Sequence, residues 1–190
     1  PHVLATLDRT HNPDNLYQVT KWAGEVGFKE ISVDLIYGTP GESKSDWQKS
    51  IDTALSLPIT HISAYALIIE EGTKLAAQIK RGEVDQVDDD LTAEKYLMAD
   101  DAFTKFGFNW YELSNWAKVN SESKHNLAYW LGKNWWGAGP GAHSHLNGKR
   151  FWNVKHPNLY KQKIEANESP VADSEELEEL QIESERLMLS

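Results

Sequence analysis

"GFKEISVDLIYGTPGESKSDWQKSIDTALSLPITHISAYALII", residues 27–69, is the stretch that decides the fold. "FKEISVDLIYG" is an Ile- and Val-rich run of strand length, the pattern of a strand buried on both faces. "GTPGES" is turn chemistry. Ser43 and Asp46 are spaced as a capping box. Trp47, Ile51, Ala54 and Leu55 follow at helical spacing. Pro58 closes that helix, and "THISAYALII" is a second buried strand. Strand, helix and strand in so short a span make one βαβ unit, so the expected class is α/β. The parallel strands belong to a barrel or to an open sheet.

Working outward, Asn12-Pro13 marks a helix start, with a capping side chain and then proline at the first helical position. Leu16, Val19, Trp22, Ala23 and Val26 are its apolar stripe, and Gly27 its left-handed stop. "TKLAAQIKRG" is a short helix and "DQVDDD" a solvated acidic loop. Thr92 to Phe106 is a helix with Tyr96, Ala99, Phe103 and Phe106 inward. "FNWYELSNWA" reads as a strand. "HSHLNGKRFWNV" holds an Asn147-Gly148 turn between alternating residues, a hairpin signal. Two helices finish the chain, the Glu-rich end being a charged helix face.

The chain has 190 residues, 40% of them hydrophobic, with eight tryptophans, which is enough for a core. A net charge of -10 with no basic patch argues against a nucleic-acid surface. There is no signal peptide and no apolar run of bilayer length, so a cytoplasmic location without stable membrane insertion is expected. With zero cysteines, disulfides and iron–sulfur ligation by this chain are excluded. Both ends read as cut, and a longer parent protein is expected.

Chemistry is carried by few residues. Asp34 alternates with Val33 and Leu35 and sits late in its strand. At the C-terminal end of a barrel strand a carboxylate contacts ligand or caps the next loop. Arg9 precedes a helix and pairs with an anion or lies on the surface. Residues 123–145, "SKHNLAYWLGKNWWGAGPGAHSH", gather three histidines, four large aromatics and a glycine run. "GAGPGAH" lacks the dinucleotide spacing. It is a tight loop, or a backbone passing close to a large flat ligand. His143 and His145 share a strand face, a weak metal site without cysteine or a carboxylate pair. His125 lies one helical turn before Tyr129. An imidazole flanked by Tyr129 and Trp130 suits a planar macrocycle with an axial iron ligand, or it caps the helix.

"GFKEISVDLIYGTPGES", "HISAYALIIEEGT", "WYELSNWA", "HNLAYW" and "GAGPGAHS", in this order, resemble the oxygen-independent coproporphyrinogen III oxidase-like radical SAM family. His125, Asn126, Tyr129 and Trp130 match the H-N-x-x-Y-W motif of its HemW-type heme chaperone branch. The resemblance implies a partial (β/α)6 barrel, a cysteine-held 4Fe-4S cluster and S-adenosylmethionine at the barrel mouth. The cysteine motif and the Gly-Gly-Thr-Pro segment are absent here. The chain then corresponds to the rear of the barrel (1–71) followed by an α+β family-specific extension (72–190).

By resemblance, Arg9, Asp34 and Ile68 contact S-adenosylmethionine, and His143 lies in a loop that closes over it. Asp8 replaces the glycine of the Leu-Gly-Arg-x-His motif around Arg9. His125 would ligate heme iron, with Asn126, Tyr129 and Trp130 around it. The function implied is heme binding and heme trafficking on a radical SAM core, with heme or porphyrin and heme-receiving proteins as partners. This chain alone would be catalytically inactive. The second reading is the coproporphyrinogen III dehydrogenase of porphyrin biosynthesis. A third, an aromatic-rich sugar-acting barrel, needs two carboxylates about 5–10 Å apart, with Glu70 or Glu71 and Glu112 as candidates.

Overall fold

The structure, a computed structural model, describes residues 14–188 together with Val3 and Thr6. The helix start expected at Asn12-Pro13 lies outside the described residues, as does Arg9. The chain divides into two compact units, Pro1–Glu122 and Ser123–Ser190.

The first unit runs α1 (Asp14–Glu25), β1 (Ser32–Tyr37), α2 (Lys44–Leu55), β2 (His61–Ala66), α3 (Lys74–Lys80), α4 (Asp89–Lys105), β3 (Asn109–Glu112) and β4 (Asn115–Ala117). The expected βαβ unit is present. β1 and β2 pair in parallel from Ser32↔His61 to Tyr37↔Ala66, with α2 as the crossover. Parallel strands need such a crossover because a tight turn reverses direction. The sheet order is β1-β2-β4-β3.

α2 forms where the sequence puts it. Ser43 accepts from the Asp46 amide, and the Asp46 carboxylate accepts in return from the Ser43 amide. Trp47, Ile51 and Ala54 are buried on one stripe. They pack with Val33 and Tyr37 of β1, Ile62 and Ala64 of β2, Ala99 and Phe103 of α4, and Trp116 of β4. Burial of apolar surface stabilises by about 25 cal/mol per Å², and this cluster is where the unit buries it.

Inside the apolar layer sits an ion pair. Lys95 of α4 donates from Nζ to Glu42 Oε2 at 2.8 Å and to the Glu42 carbonyl at 2.7 Å. The two side chains are 1% and 2% exposed. Glu42 Oε2 also accepts from the Gly38 amide at 2.9 Å. Trp47 Nε1 donates to the Lys95 carbonyl at 2.8 Å. The "GTPGE" turn, α2 and α4 are therefore locked by one charge pair.

Several expectations need correction. α4 starts at Asp89, because Asp88 caps it through the Leu91 amide and Asp89 and Asp90 occupy the positive first turn. The last two residues of "DQVDDD" are thus helical and the third-last is their cap. Phe106 is 61% exposed, because it is the C-cap residue, past the last turn whose face points inward. "FNWYELSNWA" is two antiparallel strands, β3 and β4, with a bulge between Trp110 and Glu112. The α1 stripe is buried only in part: Leu16 packs against the core and Ala23 is half-buried, whereas Trp22 is 57% exposed and Val19 and Val26 are exposed too.

The second unit contains α5 (Lys124–Trp130), β5 (His143–Leu146), β6 (Lys149–Asn153), α6 (Pro157–Glu165), β7 (Val171–Glu176) and α7 (Glu179–Met188). The β5–β6 hairpin turns at Asn147 and Gly148, with φ 53 and 80, the left-handed pair a two-residue turn requires. The chain does not end on two helices alone. β7 pairs antiparallel with β6 and completes a three-stranded sheet. Its run of acidic residues hid a strand because all six of its residues are exposed and carry no apolar alternation. The 71/72 boundary follows family resemblance. Packing divides the chain after Glu122, since β4 pairs with β2 and α4 packs on α2.

Removing one partner of a buried pair strands the other charge, at about 3–5 kcal/mol. Lys95→Met should therefore lower stability by about that much in urea unfolding followed by circular dichroism. Lys95→Met combined with Glu42→Gln should recover a large part, because the uncharged amide side chain at position 42 still accepts from the Gly38 amide.

Candidate functional site

In the first unit the sheet has two faces of different chemistry. Val33, Tyr37, Ile62 and Trp116 point to the helices and are buried. Ser32, Asp34, His61, Ser63 and Asn115 share the other face, because Ser32 pairs with His61, Asp34 with Ser63 and Ser63 with Asn115. In an α/β barrel this is the inner, ligand-bearing face.

His61 is the hub. Its Nδ1 shares a 2.8 Å hydrogen bond with Ser32 Oγ, and its Nε2 a 2.7 Å bond with Tyr111 Oη. Burial pushes its pKa below the usual imidazole value, against the opposing pull of Asp34, Glu112 and Glu30. The Glu112 carboxylate is held by the Ser114 amide and by the Asn115 side chain. Asp34 is exposed and is the third of the six residues of β1, mid-strand rather than late. Ile68, 76% exposed, follows β2. Sequence reasoning missed His61 and Tyr111. The signal was present, since His61 opens a buried strand, where a histidine needs partners.

In the second unit, Ser123 caps α5 by accepting from the Asn126 amide at 3.3 Å. His125 is therefore not the cap. It is exposed and stands edge-on to Tyr129, ring centroids 5.0 Å apart. Tyr129 continues to Trp135 at 4.5 Å, and Trp135 to His145 at 4.8 Å. Trp135 and His145 also exchange backbone hydrogen bonds of 2.9 and 3.0 Å. His143 is exposed and stacks on Trp152 at 5.5 Å. Tyr129, Trp130, Trp135, His145, Arg150 and Arg186 contribute to the wall of a cavity of about 430 Å³. His125 and Asn126 are not on that wall.

The glycine run has a local cause at one position. A Cβ on Gly137 would stand 2.0 Å from the His143 carbonyl oxygen. The Gly137 amide donates to Ser144 Oγ at 2.9 Å. There the bare backbone serves the chain's own close approach.

Among the described residues no group of three or more His, Cys, Asp or Glu is placed to hold a metal ion. No described helix is long and apolar enough to cross a membrane. The chain contains no cysteine, so its residues do not fit an iron–sulfur cluster.

A parallel βαβ layer with helices on one face and polar residues on the other defines a protein of the α/β class. The fold is similar to that of coproporphyrinogen III oxidase (HemN) from Escherichia coli, a radical SAM enzyme. The TM-score is 0.79 at 16% identity, over 98% of this chain and 46% of that one. No family model matches. Heme chaperone HemW of Mycobacterium tuberculosis is 48% identical over 177 residues, 93% of this chain and 45% of that protein. Heme chaperone HemW of Bacillus subtilis is 35% identical over 187 residues, 98% of this chain and 49% of that protein. A zebrafish mitochondrial protein, radical S-adenosyl methionine domain-containing protein 1, is 38% identical over 140 residues, 74% of this chain and 32% of its own length. The chain belongs to the oxygen-independent coproporphyrinogen III oxidase-like radical SAM family, in its HemW-type branch. It spans about half the length of these two HemW proteins.

A group whose folded pKa is depressed costs stability as the unfolded state takes up protons first. For His61 the loss begins as pH falls through about 6.5 and ends below the folded value. Its slope is at most about 1.4 kcal/mol per pH unit. His61→Phe should flatten this part of the stability–pH curve measured by urea unfolding, compared with the wild type.

Proposed function

We propose that this protein binds heme and passes it on, from a radical SAM core, in the cytoplasm. One observation carries the reading. "HNLAYW" forms a capped helix that sets Tyr129 and Trp130 on the wall of the cavity, with His125 exposed at the outer end of a ladder of rings. A wall that joins aromatic and aliphatic side chains to a few cationic ones, as Tyr129, Trp130, Trp135, Leu177 and Ile182 stand beside Arg150 and Arg186, suits a large flat ligand with acidic substituents. The exposed imidazole of His125 would offer a nitrogen to heme iron at the point where heme is loaded or handed over. Asn126 lies in the same turn.

Asp34, Arg9 and Ile68 of the first unit are proposed contacts of S-adenosylmethionine. For Asp34 the support is its place on the polar face, exposed beside Ser63. The cofactor would supply radical chemistry when a cluster is present. This chain's part would be to bind and orient it. The likeness to the E. coli oxidase is one of fold and favours no particular reaction. No observation favours a sugar-acting site, since the Glu112 carboxylate is already held by Ser114 and Asn115.

Hemin titration followed by the Soret band tests the heme reading. His125→Ala should weaken binding by about tenfold, which is about 1.4 kcal/mol. The apo melting temperature should stay near wild type, because Ser123 holds the cap. Unchanged affinity and spectrum would remove His125 as the ligand. For the cofactor, Asp34→Asn in a protein carrying the whole barrel should cost about 1.5–3 kcal/mol of S-adenosylmethionine binding, the range for a hydrogen bond to a charged group. Isothermal titration reads that loss. A lowered melting temperature with unchanged affinity would give Asp34 a structural role instead.

A further inference from the structure

The aromatic ladder ends at a second imidazole that the heme motif does not include. His145 is 8% exposed and lies on the cavity wall. Its Nδ1 is 3.0 Å from the Lys133 carbonyl oxygen. A carbonyl only accepts, so Nδ1 carries the hydrogen. In the neutral ring that leaves the lone pair on Nε2. Nε2 has no hydrogen-bond partner among the described residues, and it is not one of the sealed, unsatisfied atoms. It is therefore accessible, on a ring that lines the cavity. Imidazole fixed through Nδ1–H to a backbone carbonyl, with Nε2 free, is the arrangement by which proteins present histidine to a metal.

The rest of the wall suits an iron tetrapyrrole. Trp130, Trp135, Leu177 and Ile182 supply apolar surface. Two guanidinium groups reach the same cavity. Arg150 is held by Glu185 at 2.8 and 2.5 Å, which also holds the Glu185 carboxyl below its ordinary pKa. Arg186 makes no ion pair among the described residues, leaving its fork for an incoming carboxylate. Along the ladder, Tyr129 and Trp135 stand between His125 and His145. His145 lines the cavity and His125 does not.

We propose that the open cleft of the second unit is a binding position for a carboxylate-bearing iron tetrapyrrole, distinct from the position at His125. His145 Nε2 is the iron ligand and Arg186 the partner of a ring carboxylate. This rests on the heme-binding reading and adds to it a holding position beside a handing-over position.

His145→Asn separates ligand from structure, because the asparagine amide can still donate to the Lys133 carbonyl while the Nε2 lone pair is lost. The full chain, His145→Asn, Arg186→Leu and His125→Ala are titrated with hemin and with iron-free protoporphyrin IX, following the Soret band and the stoichiometry. His145→Asn should shift the Soret band, lower hemin affinity about tenfold or remove one equivalent of hemin, and leave protoporphyrin IX binding unchanged. Arg186→Leu should weaken both ligands. Hemin binding by His145→Asn that matches wild type in affinity, stoichiometry and spectrum would overturn the position at His145. If His125→Ala alone loses hemin, the heme reading stands and this inference falls. If the wild-type chain takes up no hemin, the heme reading itself falls, and the inference with it.

Discussion

A lysine and a glutamate buried in an apolar layer set the terms for the first unit. Lys95 and Glu42 would each be costly alone in that layer, and each is tolerated because the other is within hydrogen-bond reach. Satisfying both charges fixes three elements together. The turn after β1 must curl so that the Gly38 amide also meets Glu42. α2 must sit where Trp47 reaches the Lys95 carbonyl. α4 must run across both. Apolar packing alone tolerates small sliding, whereas a buried pair with directional hydrogen bonds does not. The pair thus holds in register the layer behind the sheet whose other face carries Asp34 and His61.

The second unit is organised differently. No buried charge pair centres it among the described residues. Its register comes from the Asn147-Gly148 turn and from the close approach of Gly137 to the backbone of His143. Those contacts place Trp135 against His145, and the 123–135 segment then turns its aromatic residues toward one cavity. Asn134 ties its side chain to Asn147 in both directions, at 2.9 and 2.8 Å, which pins the segment to the hairpin tip. The histidines, indoles and glycines of residues 123–145 are gathered because each does a separate part of this assembly.

Much of the fold is legible in the sequence, and the misses share a cause. The βαβ unit is readable because Ile- and Val-rich runs, a capping box and a Trp47–Ile51–Ala54 stripe all agree locally. β7 is not, because an edge strand exposed along its length has no apolar alternation to read. The two short strands β3 and β4 read as one, since the bulge and the Leu113-Ser114 turn carry none of the usual glycine or proline marks. Lys95 carries a signal of its own: it lies one turn before Ala99 and two before Phe103, on the buried stripe. A lysine there requires a partner, but the sequence does not say which.

For the site the division is sharper. The sequence by itself determined the residue kinds: an H-N-x-x-Y-W helix, a hairpin with two histidines, a strand aspartate, and no thiolate at all. Motif and local spacing are properties of neighbours along the chain, so they survive without a structure. Only the tertiary structure decided that Ser123 rather than His125 caps α5 and that His61 joins Ser32 to Tyr111. It also decided that His145 rather than His125 faces the cavity. These depend on which residues distant in sequence meet, and on which nitrogen of a ring is already engaged. Both follow from strand register and backbone approach, and neither is written in the order of the residues.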